Sequence, residues 1–327
     1  MVHGPATFFC QEAPAGAMNF YCVTMQMPED LPQGLAPGTV AWVYQPMTML
    51  NPMQVGGTAV HAPEAPAPPL QAPPAQAQPP DVDGTVWALS RDSSGSRRVQ
   101  QALEDAADDQ VRVQIATELQ GHVWEALQCP HANHVLQKCI VSMRPQALQF
   151  IVSEITQPGA GQVVLAARHK YGCRILQRLL EHCQEEQLLE LKAELIASAI
   201  ALSKHAYANF VMQHLFEYGT QEQRRRLSRL FEQHAKALGK HDHGRAVLSK
   251  ALSHVGREER ASLARALLQE QGLLVRMART RHGHAAVKHV LEALDGTERE
   301  AAKEQLMDGV QTLRMSRYGR TVVGCLL

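Results

Sequence analysis

The chain has 327 residues with 32 basic and 32 acidic side chains, a length that suits two modest domains or an elongated array better than one compact core. Charge and proline are unevenly spread: 15 of the 18 prolines lie within residues 1–80, which hold no Lys or Arg and only four acids (Glu12, Glu29, Asp30, Glu64). Nothing approaches the roughly 20 consecutive apolar residues of a membrane span, and the basic n-region of a secretory signal and the arginines of a mitochondrial presequence are both missing from the start.

Residues 1–80 are rich in Pro, Ala, Gln, Gly and Met, and His61 to Pro80 reads as a low-complexity tract. Such a composition buries too little apolar surface to offset its ordering entropy, so a disordered leader is expected. Its apolar patches, Val40 to Tyr44 and Met47 to Met53, are candidate docking motifs, with a solvated tail the simpler reading.

From Asp81 the texture changes to long stretches of strong helix formers, interrupted by only three prolines (Pro130, Pro145, Pro158). An all-α body over 81–327 is expected. Within it a small residue followed by a five-residue window recurs: Gly95 with SRRVQ, Ala132 with NHVLQ, Gly172 with CRILQ, Ala208 with NFVMQ, Gly244 with RAVLS, Gly283 with HAAVK and Gly319 with RTVVG. These anchors are 37, 40, 36, 36, 39 and 36 residues apart, the signature of a solenoid of seven units. The third and fourth window positions, and those two and three beyond the window, are apolar almost throughout, as in Ile175, Leu176, Leu179 and Leu180. At 100° per residue they form one core stripe, which leaves the first, second and fifth positions on a face free for function. Arg98 is the exception on the stripe, in a first unit that can act as a cap.

The strings D-S-S-G-S-R-R-V-Q from Asp92, H-A-N-H-V-L-Q-K-C from His131, K-Y-G-C-R-I-L-Q-R-L-L-E-H-C from Lys170 and Y-A-N-F-V-M-Q-H-L from Tyr207 resemble the repeats of the Pumilio (PUF) RNA-binding family. The resemblance spans roughly Asp81 to Leu327, strong in the first four units and weak in the last three. It implies a curved, right-handed superhelical solenoid of three-helix repeats whose second helices line a concave surface, with one base of single-stranded RNA read per repeat. In that code the first and fifth window residues meet a base edge and the second stacks between bases.

Carried over, Ser96 and Gln100 read adenine beside stacking Arg97, and Asn133 and Gln137 read uracil beside His134. Cys173 and Gln177 read adenine beside Arg174, and Asn209 and Gln213 read uracil beside Phe210. Since the family binds RNA antiparallel to its repeats, the implied core element is 5′-UAUA-3′. The last three units would offer Arg245 with Ser249, His284 with Lys288 and Arg320 with Gly324, which match no base. Their stacking positions become Ala246, Ala285 and Thr321. For these units the expectation is either phosphate contact by Arg245, Lys288 and Arg320 without base readout, or, equally, ordinary solvated side chains on a decayed repeat. The family's usual eight repeats also lead to the expectation of an eighth beyond Leu327.

Other conspicuous residues carry less. His241 with His243 and His282 with His284 lack Cys or carboxylate partners at zinc spacing, so packing or turn roles are expected and no metal or cofactor. The seven cysteines form no C-x-x-C pair and are odd in number, which points to a reducing compartment. Cys173 and Cys183 belong to no legible catalytic triad, phosphate-binding glycine loops are absent, and no enzyme is expected. Gln223 to Arg226 reads as a solvated outer face, and Trp87 and Trp124 as core packing. The expected protein is thus a cytoplasmic monomer that binds messenger RNA, in 3′ untranslated regions, and regulates it with partner proteins docked on the convex face or the leader. Two alternatives stand beside it: a nucleolar ribosome-biogenesis relative with little sequence preference, and a helical scaffold that binds only protein.

Overall fold

The computed structural model describes residues 82–157 and 161–326, so the expected leader and Leu327 lie outside the described residues. Those residues form helices and turns with no strand, ordered as repeating trios. Unit one is α1 (Val86–Ser90), α2 (Ser93–Asp105) and α3 (Asp109–Thr117); unit two is α4 (Val123–Gln128), α5 (Ala132–Ser142) and α6 (Gln149–Ile155). Unit three is α7 (Gln162–Arg168), α8 (Gly172–His182) and α9 (Leu189–Ala197); unit four is α10 (Ala199–Ser203), α11 (Ala208–Tyr218) and α12 (Gln221–Gln233). Unit five is α13 (Ala235–Gly239), α14 (Asp242–His254) and α15 (Arg257–Leu268), and unit six is α16 (Leu273–Ala278), α17 (Gly283–Ala293) and α18 (Gly296–Asp308). Unit seven contributes α19 (Val310–Arg314) and α20 (Arg317–Val323).

Each second helix packs on the next, from α2 through α5, α8, α11, α14 and α17 to α20, which is the solenoid that the period predicts. The apolar stripe is the reason. Ile175, Leu176, Leu179 and Leu180 of α8 are buried, as are their counterparts Val211, Met212, Leu215 and Phe216 in α11 and Val247, Leu248, Ala251 and Leu252 in α14. Burying each large side chain is worth about 1.5–3 kcal/mol, so the stripe alone drives neighbouring units together. Arg98 breaks the stripe and is exposed, as expected of the first unit.

The small anchors answer a steric demand. A Cβ on Gly172 would stand 2.5 Å from the Ala166 carbonyl oxygen, and one on Gly283 would stand 2.3 Å from that of Met277. The first helix of a unit therefore ends against the start of its second. Among the described residues no helix is long and apolar enough to cross a membrane.

Candidate nucleic-acid interface

Six of the seven second helices begin at a shared device, unit five being the exception, where His241 Nδ1 is buried with no partner. Three residues before the small anchor stands a side chain that accepts backbone N–H groups of the helix start: Asp92 from Ser94 and Gly95, His169 from Tyr171 and Gly172, and His205 from Tyr207 and Ala208. Cys129, Thr280 and Ser316 fill the same place in units two, six and seven. These N–H groups have no helical partner of their own, so the acceptor fixes where each of these six helices begins. It thereby fixes where the window side chains sit.

Those side chains form a repeated pattern. Gln137 donates through Nε2 to Asn133 Oδ1 at 2.9 Å, Gln213 does the same to Asn209 Oδ1 at 3.0 Å, and Gln100 to Ser96 Oγ at 3.1 Å. First and fifth positions are thus one hydrogen-bonded unit; the oxygen of each glutamine, and the remaining N–H of Gln137 and Gln213, stay available to a ligand edge, while Gln100 Nε2 also donates to Ser96 O at 3.1 Å. The second-position side chains Arg97, His134, Arg174 and Phe210 are all exposed, with Phe210 at 42%. Beside each polar edge lies a planar group, the arrangement that base stacking requires.

The first position departs from expectation. Ser96, Asn133, Cys173 and Asn209 do not lie on an open face: all are buried, at 1–3% exposure, as is Gln177. Each is drawn inward by a backbone carbonyl. The Asn133 amide donates to Cys129 O at 2.8 Å, that of Asn209 to His205 O at 2.9 Å, and the Ser96 hydroxyl reaches across to His131 O of the next unit at 2.9 Å. Helical angle places a residue on a face but does not reveal what packs beside it. The consequence is a rigid first position and more open second and fifth positions, Gln177 excepted.

Unit three differs within this pattern. The Cys173 thiol donates to Lys170 O at 3.4 Å, and burial pushes its pKa up, so it remains a thiol. Gln177 receives Nη1 of Arg174 on its Oε1 at 3.2 Å, while its Nε2 is buried with no partner. At His134 burial and the nearby His131 lower the pKa, which favours a neutral stacking ring.

The candidate phosphate contacts separate. Arg245 does not project outward: it is 8% exposed, with Nε donating to Gly239 O at 2.7 Å, Nη2 to Lys240 O at 3.0 Å and Nη1 to Asp242. It satisfies the open carbonyls at the end of α13 and has no donor fork left for a ligand. Arg320 is exposed, with one bond from Nη1 to Arg314 O at 3.3 Å, and Lys288 is half-buried. His284 stacks on Tyr318, ring centroids 5.1 Å apart, a packing role as expected. Trp87 lies flat on His122 at 4.5 Å against the core, and Arg225 is paired with Glu259.

A line of cross-unit ion pairs was not anticipated. Directly after the windows Lys138 pairs with Glu104 and Lys250 with Glu217 at 2.8 Å, and between them His214 Nε2 shares a hydrogen bond with Glu181 at 2.8 Å. The signal was present as an acid nine positions into one window register and a cation six into the next, and only the stacking of units pairs them.

Four segments, residues 86–119, 128–156, 162–196 and 198–229, match the Pumilio-family RNA binding repeat, and they coincide with units one to four. Among curated proteins, Suppressor protein MPT5 of Saccharomyces cerevisiae is 25% identical over 118 residues, 34% of this chain and 13% of that protein. Putative pumilio homolog 8, chloroplastic, of Arabidopsis thaliana is 30% identical over 112 residues, 34% of this chain and 21% of that protein. The matched part thus spans 13% and 21% of these two relatives' own length. Among solved structures, that of PUF-8 in complex with PBE-RNA superposes with a TM-score of 0.65 at 21% identity, covering 74% of this chain and 71% of that one. The fold is an all-α solenoid of the Pumilio type. Units one to four match the Pumilio-family RNA binding repeat in sequence as well, which together with the fold supports a Pumilio-family RNA-binding protein.

Proposed function

We propose that units one to four bind single-stranded RNA in a sequence-specific manner, reading 5′-UAUA-3′ from unit four back to unit one. Asn209 with Gln213 and Asn133 with Gln137 take the uracils; Cys173 with Gln177 and Ser96 with Gln100 take the adenines. Phe210, Arg174, His134 and Arg97 form the stacking platforms. The observation that carries this reading is the bond from the fifth-position glutamine to the first-position oxygen in three of the four units. It fixes the amide plane next to an exposed planar side chain, so that one base edge and one base face are met together. Relatives bound to RNA in solved structures, such as PUF-8, support the same reading. The biological role that follows is post-transcriptional control of messenger RNA, without catalysis.

Fluorescence polarisation of the full chain with a labelled RNA containing 5′-UAUA-3′, against the same RNA with the third base changed to guanine, tests this. The proposal expects tight binding to the first and loss with the second. Equal binding to both leaves an RNA binder without sequence preference, and binding to neither leaves a protein-binding scaffold.

A further inference from the structure

The cations of the repeats fall into two populations. Several on the third helices are paired within the stack: Arg225 meets Glu259 at 2.8 Å, Arg265 meets Glu298 at 2.8 Å, and buried Lys192 meets Glu185. Most of those on the turns between first and second helices have no such partner. Four residues before the anchor stand Arg168, Lys204, Lys240 and Arg279 in four consecutive units, and two before it stand Arg281 and Arg317 in units six and seven. All but half-buried Lys204 are exposed. Among the described residues only Lys240 has a carboxylate partner, Glu270, which it shares with Lys236.

The stacking of the second helices sets these equivalent positions along one edge of the repeats. Arg168 acts on His205 of the next unit, Lys204 acts on His241 of the one after, and Arg281 acts on His282 within its own turn. In each of the three histidines burial and then such neighbouring positive charge push the pKa below the ordinary imidazole value. Asp242, an acid on this edge, is engaged by Arg245. The edge also adjoins the base-reading side chains, since the Asn209 amide donates to His205 O and to Ala206 O in the same turn.

Helix stabilisation accounts for part of this. Arg168, Lys204, Lys240 and Arg279 lie at the C-terminal ends of α7, α10, α13 and α16, where a cation is favourable. Arg281 and Arg317 lie at the opposite pole, at the starts of α17 and α20, where the helix dipole opposes a cation. Two exposed cations that persist against the dipole, beside a row of four at helix C-terminal ends, are suited to a polyanion that neutralises them.

We propose that this edge, over units four to seven, holds the phosphates of single-stranded RNA lying 5′ of the base-read element, without reading its bases. The inference rests on the RNA reading of units one to four, because antiparallel binding is what brings 5′ flanking RNA to units five to seven. It assigns these units a grip through Lys204, Lys240, Arg279, Arg281 and Arg317, in place of the buried Arg245.

The test measures affinity of the full chain against salt, using 5′-UAUA-3′ extended by five abasic nucleotides on either its 5′ or its 3′ side. The 5′-extended RNA should bind tighter, and methylphosphonate linkages in that extension should abolish the gain. The triple variant R279Q/R281Q/R317Q should lower the slope of log affinity against log salt by about 2 units, so wild type loses about 20-fold more affinity than the variant between 50 and 200 mM salt. The control R225Q should keep the wild-type slope. Equal binding of the two extended RNAs, or an unchanged slope in a triple variant that merely melts earlier, overturns the edge and reduces its cations to helix caps. Should the chain fail to distinguish UAUA from its guanine variant, the base reading falls separately. The slope on a 20-nucleotide oligouridine then decides the edge: a fall of about 2 units in the triple variant upholds it, and no fall overturns it.

Discussion

The guanidinium of Arg174 lies over the ring of Phe210, 5.6 Å from its centroid, so the stacking groups of units three and four touch across the repeat boundary. A base that enters between them exchanges this cation–π contact for two stacking faces. Phe210→Ala removes one face and exposes no core, since the ring is 42% exposed. The expected outcome is a loss of about 1–3 kcal/mol in RNA affinity with little change in melting temperature, read by fluorescence polarisation and thermal denaturation.

Unit three should accept a better-bonded pair. Gln177 Nε2 is buried without a partner because a thiol sulfur is a weak acceptor, whereas Asn133 and Asn209 offer an amide oxygen in the same place. Cys173→Asn should recreate that bond and raise stability by about 0.5–1.5 kcal/mol in urea denaturation. The same variant should turn the preference of unit three from adenine to uracil, so that 5′-UUUA-3′ becomes the better ligand.

The anchors should resist enlargement. A Cβ at Gly283 meets the Met277 carbonyl oxygen at 2.3 Å and Thr280 Oγ1 at 2.6 Å, and the latter atom is the acceptor that caps α17. Gly283→Ala should therefore cost about 1–3 kcal/mol of stability, with a lower urea midpoint as the readout. A midpoint equal to wild type would show that the first helix can shift freely.

Stability should fall on mild acidification. His169 and His205 each accept two backbone N–H groups on Nδ1, which requires that nitrogen unprotonated. Burial, then Lys170 at His169 and Arg168 at His205, hold both pKa values below the ordinary one. Between those lowered values and about 6.5 the unfolded chain binds more protons than the folded one, so stability is full above about 6.5 and declines as pH falls below it. The double variant H169N/H205N keeps a capping acceptor that does not titrate. Its urea midpoint should change less between pH 7 and 5.5 than that of wild type, and equal changes would contradict the account.

Much of this architecture is legible in the sequence because it is periodic. The small anchors locate every second helix, and the stripe of Ile175, Leu176, Leu179 and Leu180 and its counterparts predicts the core. Contacts that depend on what lies beside a helix are not legible. Asn133 and Arg245 both occupy polar window positions, yet carbonyls exposed by the end of a preceding helix draw both inward. The capping place filled by Asp92, Cys129, His169, His205, Thr280 and Ser316 escapes a pattern search because its occupants share only a short acceptor atom, not a residue type.

The central claim is modular base reading, and the double variant C173S/Q177E tests it most directly. Its affinity for RNAs containing 5′-UAUA-3′ and 5′-UGUA-3′ would be measured beside wild type by fluorescence polarisation at stated salt. In the family's code a fifth-position glutamate takes guanine, and the proposal assigns the second base to unit three. The account predicts that wild type prefers UAUA and the variant prefers UGUA, with the other three positions unchanged. The same ranking in both proteins, or no ranking in either, would contradict it.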